Sequence, residues 1–147
     1  MAQKKIIIVD DDLGIVESFT EILKYQGYLV DSATTARDGI KKMSKTFYDL
    51  ALLDIKLPDK NGTEILKEIK ESKPNMIKIM VTGFADLDNA VESLNQGANA
   101  YIMKPVNPEE LMKLIRDKLL EKEKKEMLSE DKISEWIENR LNKLDEI

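Results

Sequence analysis

Short apolar runs alternate with amphipathic stretches along the first 120 residues. The runs, most of them containing β-branched residues, lie at Lys5–Val9, Tyr28–Ala33, Leu50–Leu53, Ile77–Val81 and Ala100–Met103. The stretches between and after them repeat apolar residues at helical spacing and lie at Leu13–Gln26, Ala36–Met43, Ile65–Ile69, Leu87–Leu94 and Leu111–Leu119. Strands that alternate with helices predict βαβ units and a parallel sheet. Nearly continuous apolar strands predict that both faces are covered, and right-handed crossovers bring the strands' carboxyl ends to one edge.

Glycine and polar residues mark the predicted helix ends. Gly27 and Gly97 are expected just after the first and fourth helices, where the backbone often turns left-handed. Residues 57–62, with the sequence LPDKNG, are typical of a loop. Asn61 or Thr63 could cap the helix that follows.

The last part of the chain has a different pattern. We interpret residues 1–120 as one domain and residues 121–147 as a charged linker followed by an amphipathic helix. The linker is EKEKKE at 121–126, and Ser129 is the expected N-cap of the helix. This helix carries an apolar stripe formed by Ile133, Trp136, Ile137, Leu141 and Leu144. The stripe is too short to indicate a coiled coil, so dimerisation, docking of a partner and packing within the chain all remain open.

Composition narrows the possible functions. The 147 residues include no cysteine and no histidine, which excludes disulfides, histidine metal ligands and Ser-His-Asp catalysis. A net charge of −5 argues against nucleic-acid binding. We find neither an apolar run long enough for a transmembrane helix nor a signal-peptide pattern. These features favour a cytoplasmic protein without a membrane segment.

Polar residues follow four of the predicted strands. The first strand runs into the acidic residues 10–12, the third ends at Asp54, the fourth at Thr82 and the fifth at Lys104. Ligands of open α/β sheets bind outside the carboxyl ends of the strands. Taken singly, each of these residues could be an ordinary turn, cap or surface residue. Their occurrence together at one edge indicates a site.

The residue types at this edge suit a phosphoryl group and a hard cation. Carboxylates without histidine or cysteine favour Mg²⁺, which keeps several waters and accepts phosphate oxygens. A lysine supplies a point charge for phosphate, and a threonine supplies a neutral donor. An aspartate can act as nucleophile and form an acyl phosphate. We assign that role to Asp54.

Four motifs carry a resemblance to a known family. The segments IIIVDDD, LALLDIKLPDKNG, IMVTGFAD and GANAYIMKPV match, in order and spacing, the strand-end motifs of the receiver domain of two-component response regulators. The resemblance covers roughly residues 4–120. It implies a doubly wound, flavodoxin-like (βα)5 fold with strand order 2-1-3-4-5, followed here by a C-terminal helical extension.

The resemblance also implies roles for the acidic residues. Asp54 would accept phosphate from a histidine kinase or phosphotransfer protein. Asp10, Asp11 and Asp54, together with the backbone carbonyl of Lys56, would bind Mg²⁺. Asp12 is not a ligand in this pattern, and we interpret it as the N-cap of the first helix.

Further implied roles concern the response to phosphorylation. Thr82 and Lys104 would contact the phosphoryl group, and the Lys104–Pro105 bond would be cis. Tyr101 would be the aromatic switch that turns inward as Thr82 moves. The signal would pass through the face formed by helix 4, strand 5 and helix 5, which could also form a homodimer. The protein would thus be a signalling phosphoacceptor with only self-phosphorylation and self-dephosphorylation chemistry.

Two positions depart from the commoner pattern, and two alternatives remain open. Lys56 and Phe84 stand where polar or acidic side chains often help water to attack the phosphoryl group, so we predict slow autodephosphorylation. The motif TGFADLDNAV and the charged extension also resemble the N-terminal regulatory part of larger NtrC-type activators. A Mg²⁺-dependent phosphatase of the haloacid dehalogenase type is the alternative of another class, although it would need an Asp-x-Asp motif after the first strand.

Overall fold

The strands form one parallel sheet, as predicted. The computed structural model describes residues 3–83 and 87–145, without the side chains of residues 87–90 and 145. Within these residues, the strands are β1 Lys5–Val9, β2 Leu29–Ala33, β3 Leu50–Asp54, β4 Ile77–Thr82 and β5 Ala100–Met103. Their order is β2-β1-β3-β4-β5, with every pair parallel. The predicted α/β fold class and strand order are therefore confirmed.

Helices follow each strand and cover both faces of the sheet. They are α1 Leu13–Tyr25, α2 Ala36–Lys45, α3 Gly62–Ile69, α4 Leu87–Asn95 and α5 Pro108–Asp145. The side chain of Asp12 accepts the backbone N–H groups of Gly14 at 2.9 Å and Ile15 at 3.2 Å, which confirms it as the N-cap of α1. Gly27 and Gly97 have φ angles of 94° and 105°, so both adopt the left-handed conformation expected just after a helix.

Side-chain alternation divides the core into two layers. Ile7 and Val9 of β1 point toward α2 and α3, whereas Ile6 and Ile8 point toward α1 and α5. Each of these four side chains is at most 1% exposed. At roughly 2 kcal/mol for each fully buried aliphatic side chain, this strand alone contributes substantially to the hydrophobic driving force. The central strands β1 and β3 are therefore fixed firmly, and so are the residues at their carboxyl ends.

The prediction of a separate helix starting at Ser129 is wrong. Helix α5 runs without a break for 38 residues and includes residues 121–126 and Ser129. Glutamate and lysine are good helix formers, and residues 109–145 contain neither glycine nor proline. The charged run therefore continues the helix that Pro108 begins.

The far half of α5 projects away from the domain. Leu119 still packs in the core, and Lys122 lies 3.6 Å from the Asp49 carboxylate while Glu123 lies 3.2 Å from the Lys4 ammonium. Every residue from 124 to 144 is exposed. We call residues 124–145 the projecting segment. Within the described residues, no helix has both the length and the apolar character that crossing a membrane requires.

The predicted apolar stripe lies on the projecting segment. Its side chains are exposed by 47% to 65%: Ile133, Trp136, Ile137, Leu141 and Leu144. This exposure argues against one of the three interpretations, namely that the stripe packs within the chain. The guanidinium of Arg140 lies 5.0 Å from the ring centre of Trp136 and covers part of that side chain.

Candidate metal and phosphoryl site

Strand order explains why residues far apart in sequence meet at one edge. Strands β1 and β3 are neighbours, with Val9 opposite Leu53, so Asp10 and Asp54 end adjacent strands. Strand β4 lies between β3 and β5, with Thr82 opposite Met103. Lys104 follows β5 directly, and its backbone N–H donates to the Thr82 carbonyl at 2.7 Å.

Three carboxylates gather at this edge. Asp10, Asp11 and Asp54 each have an oxygen, and these oxygens all lie within 4.8 Å of one another. Asp10 is 2% exposed and Asp54 6%, whereas Asp11 is exposed to solvent. The N–H of Asp12 donates to the Asp10 carboxylate at 2.9 Å and holds it in place. Two like charges about 4 Å apart repel by about 4 kcal/mol at an effective dielectric near 20, so a cation in this cluster is favoured.

The Lys104 ammonium bridges two of these carboxylates. Its Nζ lies 3.3 Å from Asp10 Oδ2 and 3.3 Å from Asp54 Oδ2. Burial lowers the pKa of Lys104, but the two carboxylates outweigh it and raise the pKa above the ordinary value. The Lys104–Pro105 peptide bond is cis. The lysine therefore stays charged and offsets the repulsion between the Asp10 and Asp54 carboxylates.

The pKa of Asp54 is raised well above its ordinary value. Burial raises its pKa to about 6, and the neighbouring Asp10 carboxylate acts in the same direction. The Lys104 ammonium and the backbone N–H of Lys56, which donates to Asp54 Oδ1 at 3.2 Å, oppose this rise. Asp54 is therefore mostly ionised at neutral pH, but as a carboxylate whose charge the folded protein disfavours. A carboxylate with a raised pKa is more basic than usual, and an aspartate of this kind can act as a nucleophile.

The β3–α3 loop (residues 55–61) folds back tightly on the end of β3. Lys56 and Asn61 form an antiparallel bridge, and the N–H of Gly62 donates to the Ile55 carbonyl at 2.7 Å. A Cβ added at Gly62 would lie 2.6 Å from Met80 Cε and 2.7 Å from the Asp54 carbonyl oxygen. Sequence reasoning treated this glycine only as a loop residue. The sequence contains no signal for this close approach, because it depends on how α3 packs against β3 and β4.

Thr82 ends β4, the strand next to β3, and Tyr101 lies on β5 opposite Met80. Thr82 is fully buried, and its hydroxyl donates to the Gly83 carbonyl at 3.1 Å. Tyr101 is partly buried and packs against the core layer that contains residues of α2 and α3. Lys56 is exposed, and Phe84 lies outside the described residues. Of the residues singled out in the sequence, the structure thus gathers Asp10, Asp11 and Asp54 within 4.8 Å and places Lys104 against Asp10 and Asp54.

Comparison with known proteins identifies the class that this fold and site define. The family model described as "Response regulator receiver domain" matches residues 6–116. The chain therefore belongs to the response regulator receiver family. Receiver domains are signalling domains rather than classical enzymes, which disfavours the phosphatase alternative.

Individual relatives agree with this assignment. A crystal structure of a response regulator receiver domain protein (CheY-like) from Methanospirillum hungatei is 53% identical, covers 84% of this chain and 99% of that chain, and superposes with a TM-score of 0.81. Response regulator ArlR of Staphylococcus saprophyticus is 35% identical over 124 residues, which are 84% of this chain and 56% of ArlR. The alginate biosynthesis transcriptional regulatory protein AlgB of Pseudomonas syringae is 34% identical over 109 residues, 74% of this chain and 24% of AlgB. The chain thus spans about a quarter to about half the length of these curated relatives.

Proposed function

We propose that Asp54 is the phosphoacceptor of this receiver domain and that its donor is the phosphohistidine of a histidine kinase or phosphotransfer protein. A carboxylate oxygen of Asp54 bonds to phosphorus while the P–N bond breaks, and the histidine ring keeps the electron pair of that bond. The main support is the grouping of three carboxylates within 4.8 Å, with an ammonium 3.3 Å from two of them. Phosphoryl transfer depends mostly on such positioning and charge neutralisation.

Mg²⁺ fits the oxygen ligands of this site. Asp10, Asp11 and Asp54, with the backbone carbonyl of Lys56, would hold the ion, because carboxylate and carbonyl oxygens are the ligands that Mg²⁺ prefers. When bound, the ion neutralises charge on the phosphoryl oxygens. Lys104 supplies the second positive charge from β5, and the N–H of Asp12 keeps the Asp10 carboxylate oriented toward the cluster.

The proposed signal depends on Thr82 and Tyr101. A phosphoryl group on Asp54 is bulkier than the carboxylate and offers acceptor oxygens to the Thr82 hydroxyl. In this structure that hydroxyl donates a hydrogen bond to the carbonyl of the next residue, Gly83. Movement of Thr82 leaves room for Tyr101 to turn inward, giving two states whose balance phosphorylation shifts. The face that changes is α4–β5–α5, where Val91 is 51% exposed.

The test is mass spectrometry of the intact protein after incubation with acetyl phosphate and Mg²⁺. We expect one phosphoryl group per chain, which is lost in Asp54→Asn and is sensitive to hydroxylamine, as an acyl phosphate is. Continuous release of phosphate from a phosphomonoester would instead support the haloacid dehalogenase type of phosphatase. The half-life of the acyl phosphate tests the predicted slow autodephosphorylation, and decay within seconds would contradict it.

We further propose that the projecting segment pairs with a second copy of the chain. The apolar stripe of this segment is exposed, and helices in proteins gain most of their stability by packing an apolar face against a partner. Light scattering with and without beryllofluoride and Mg²⁺, on residues 1–147 and on residues 1–123, tests this pairing. A dimer that is lost on truncation supports the pairing, and a monomer in all conditions rejects it.

Our proposal for the downstream output comes only from the comparison with relatives of known name. AlgB of Pseudomonas syringae and ZraR of Klebsiella oxytoca are described as transcriptional regulatory proteins, and they are 34% and 32% identical to this chain over the matched residues. A role as the regulatory part of an NtrC-type activator therefore remains the second candidate. We also propose that the protein is located in the cytoplasm.

A further inference from the structure

The β3–α3 loop reaches across to the start of α2 through Asp59. Asp59 Oδ1 accepts the backbone N–H of Ala36 at 2.8 Å, and Oδ2 accepts that of Arg37 at 2.9 Å. These are the first two residues of α2, whose N–H groups have no acceptor inside the helix. The N-cap Thr35 accepts from a different residue, Asp38, at 3.1 Å. Asp59 therefore completes the capping of a helix from a loop more than twenty residues away.

Both oxygens of the Asp59 carboxylate are engaged and favourably placed. Each accepts one backbone N–H, and hydrogen bonds to an ionised acceptor are stronger than neutral ones. The carboxylate also lies at the positive end of the α2 dipole. The bonds from Arg37 and Ala36 hold the pKa of the Asp59 carboxyl below its usual value, so the group stays ionised. We call this pair of bonds the Asp59 clamp.

The clamp acts on a loop that is also fixed at other points. Leu57 is 9% exposed and packs in the core, and Lys60 forms an ion pair with Glu68 of α3. Lys56 and Asn61 bridge the two ends of the loop. These contacts tie the loop to the sheet and to α3, whereas the clamp ties its outer part to α2. The clamp therefore sets the position of the outer part of the loop relative to α2.

We propose that Asp59 is a positioning residue for the metal site, because its clamp on α2 holds the β3–α3 loop where the Lys56 carbonyl serves as a ligand. This inference rests on the proposed function, in which that carbonyl binds Mg²⁺. Asp59 is not one of the proposed ligands, and its carboxylate oxygens are occupied by the two N–H groups of α2. It acts through the loop, in the way that outer partners orient the direct ligands of a metal.

The experiment is a calorimetric Mg²⁺ titration of the full chain and its Asp59→Asn variant. Asparagine keeps the shape but has only one acceptor oxygen, so one of the two clamp bonds is lost. We expect the Kd for Mg²⁺ to rise roughly tenfold, the usual scale for loss of an outer partner. Asp38→Asn is the matched control, because it removes the same charge from the same end of α2 and leaves the clamp intact. Its Kd should change less than twofold.

Amide hydrogen exchange separates the clamp from the metal. In Asp59→Asn, the amides of Ala36 and Arg37 should exchange faster without any Mg²⁺ present, while urea unfolding verifies that the fold is kept. Asp59→Glu, which retains both oxygens, should recover part of the Mg²⁺ affinity. Faster exchange with an unchanged Kd overturns the positioning role. Failure of the unmodified protein to bind Mg²⁺ overturns the proposed function, while the exchange rates still report on the clamp itself.

Discussion

Ionised Asp54 should lower the stability of the metal-free domain. Its pKa is about 6 in the folded protein against an ordinary value of 3.8, and each unit corresponds to about 1.4 kcal/mol. Between these two values the folded state holds the proton more tightly than the unfolded state, so stability falls as pH rises from about 4 to about 6. Above that range the full penalty, about 3 kcal/mol, is present.

The perturbation that tests this reasoning is Asp54→Asn. The amide has nearly the same shape and can still accept the Lys56 N–H, but it carries no charge. Without Mg²⁺, we expect the variant to be more stable than the parent by about 3 kcal/mol at pH 8 and by about half as much at pH 5, where folded Asp54 is mostly protonated. Mg²⁺ should raise the stability of the parent and have much less effect on the variant.

The assay is urea unfolding followed by far-ultraviolet circular dichroism at both pH values, with and without Mg²⁺. Asp11→Asn serves as the control, because it removes a carboxylate of the same cluster from an exposed position. It should change stability by less than about 1 kcal/mol. A variant that is less stable than the parent at pH 8, or a gain that is equal at pH 5 and pH 8, would refute the reasoning.

Three other expectations concern residues around the site and in the core. Thr82→Ala should still be phosphorylated at Asp54 but should lose most of the beryllofluoride-induced change in the amide NMR signals of α4 and β5, because the buried hydroxyl is removed. Gly62→Ala should lower the urea stability by about 1–3 kcal/mol, because its Cβ would lie 2.7 Å from the Asp54 carbonyl oxygen, which cannot move freely. Lys78 is 4% exposed and donates to the Lys73 carbonyl, and burial lowers its pKa. Urea stability should therefore rise as the pH approaches the ordinary value of 10.5, and Lys78→Met should flatten that rise.

The hydrophobic pattern was sufficient for a parallel α/β sheet and for which residues lie at its edge, whereas the strand order came from the family resemblance. Strand identity followed from short apolar runs, and parallel pairing followed from the helices between them. Once β1, β3, β4 and β5 were known to end at one edge, the approach of Asp10, Asp54 and Lys104 was a consequence of topology. The distances between these side chains could be obtained only from the structure.

Features that depend on how elements pack could not be predicted from the sequence. The contact of Asp59 with Ala36 needs the placement of a loop beside a helix that precedes it in the chain. The narrow space at Gly62 depends on how closely α3 approaches β4. The break expected before Ser129 failed for another reason, because a Glu/Lys run is typical of solvated linkers and of exposed helices alike.

The continuous helix α5 extends the domain by a long exposed arm. Residues 124–145 extend roughly 33 Å at 1.5 Å per residue, and the base of this arm is held to the body by the pairs Lys122–Asp49 and Lys4–Glu123. A tilt of only about 5° at the base would move the tip by about 3 Å. A small rearrangement at the base of α5 can therefore move the far end of the helix by several ångströms. The helix itself does not have to change its conformation.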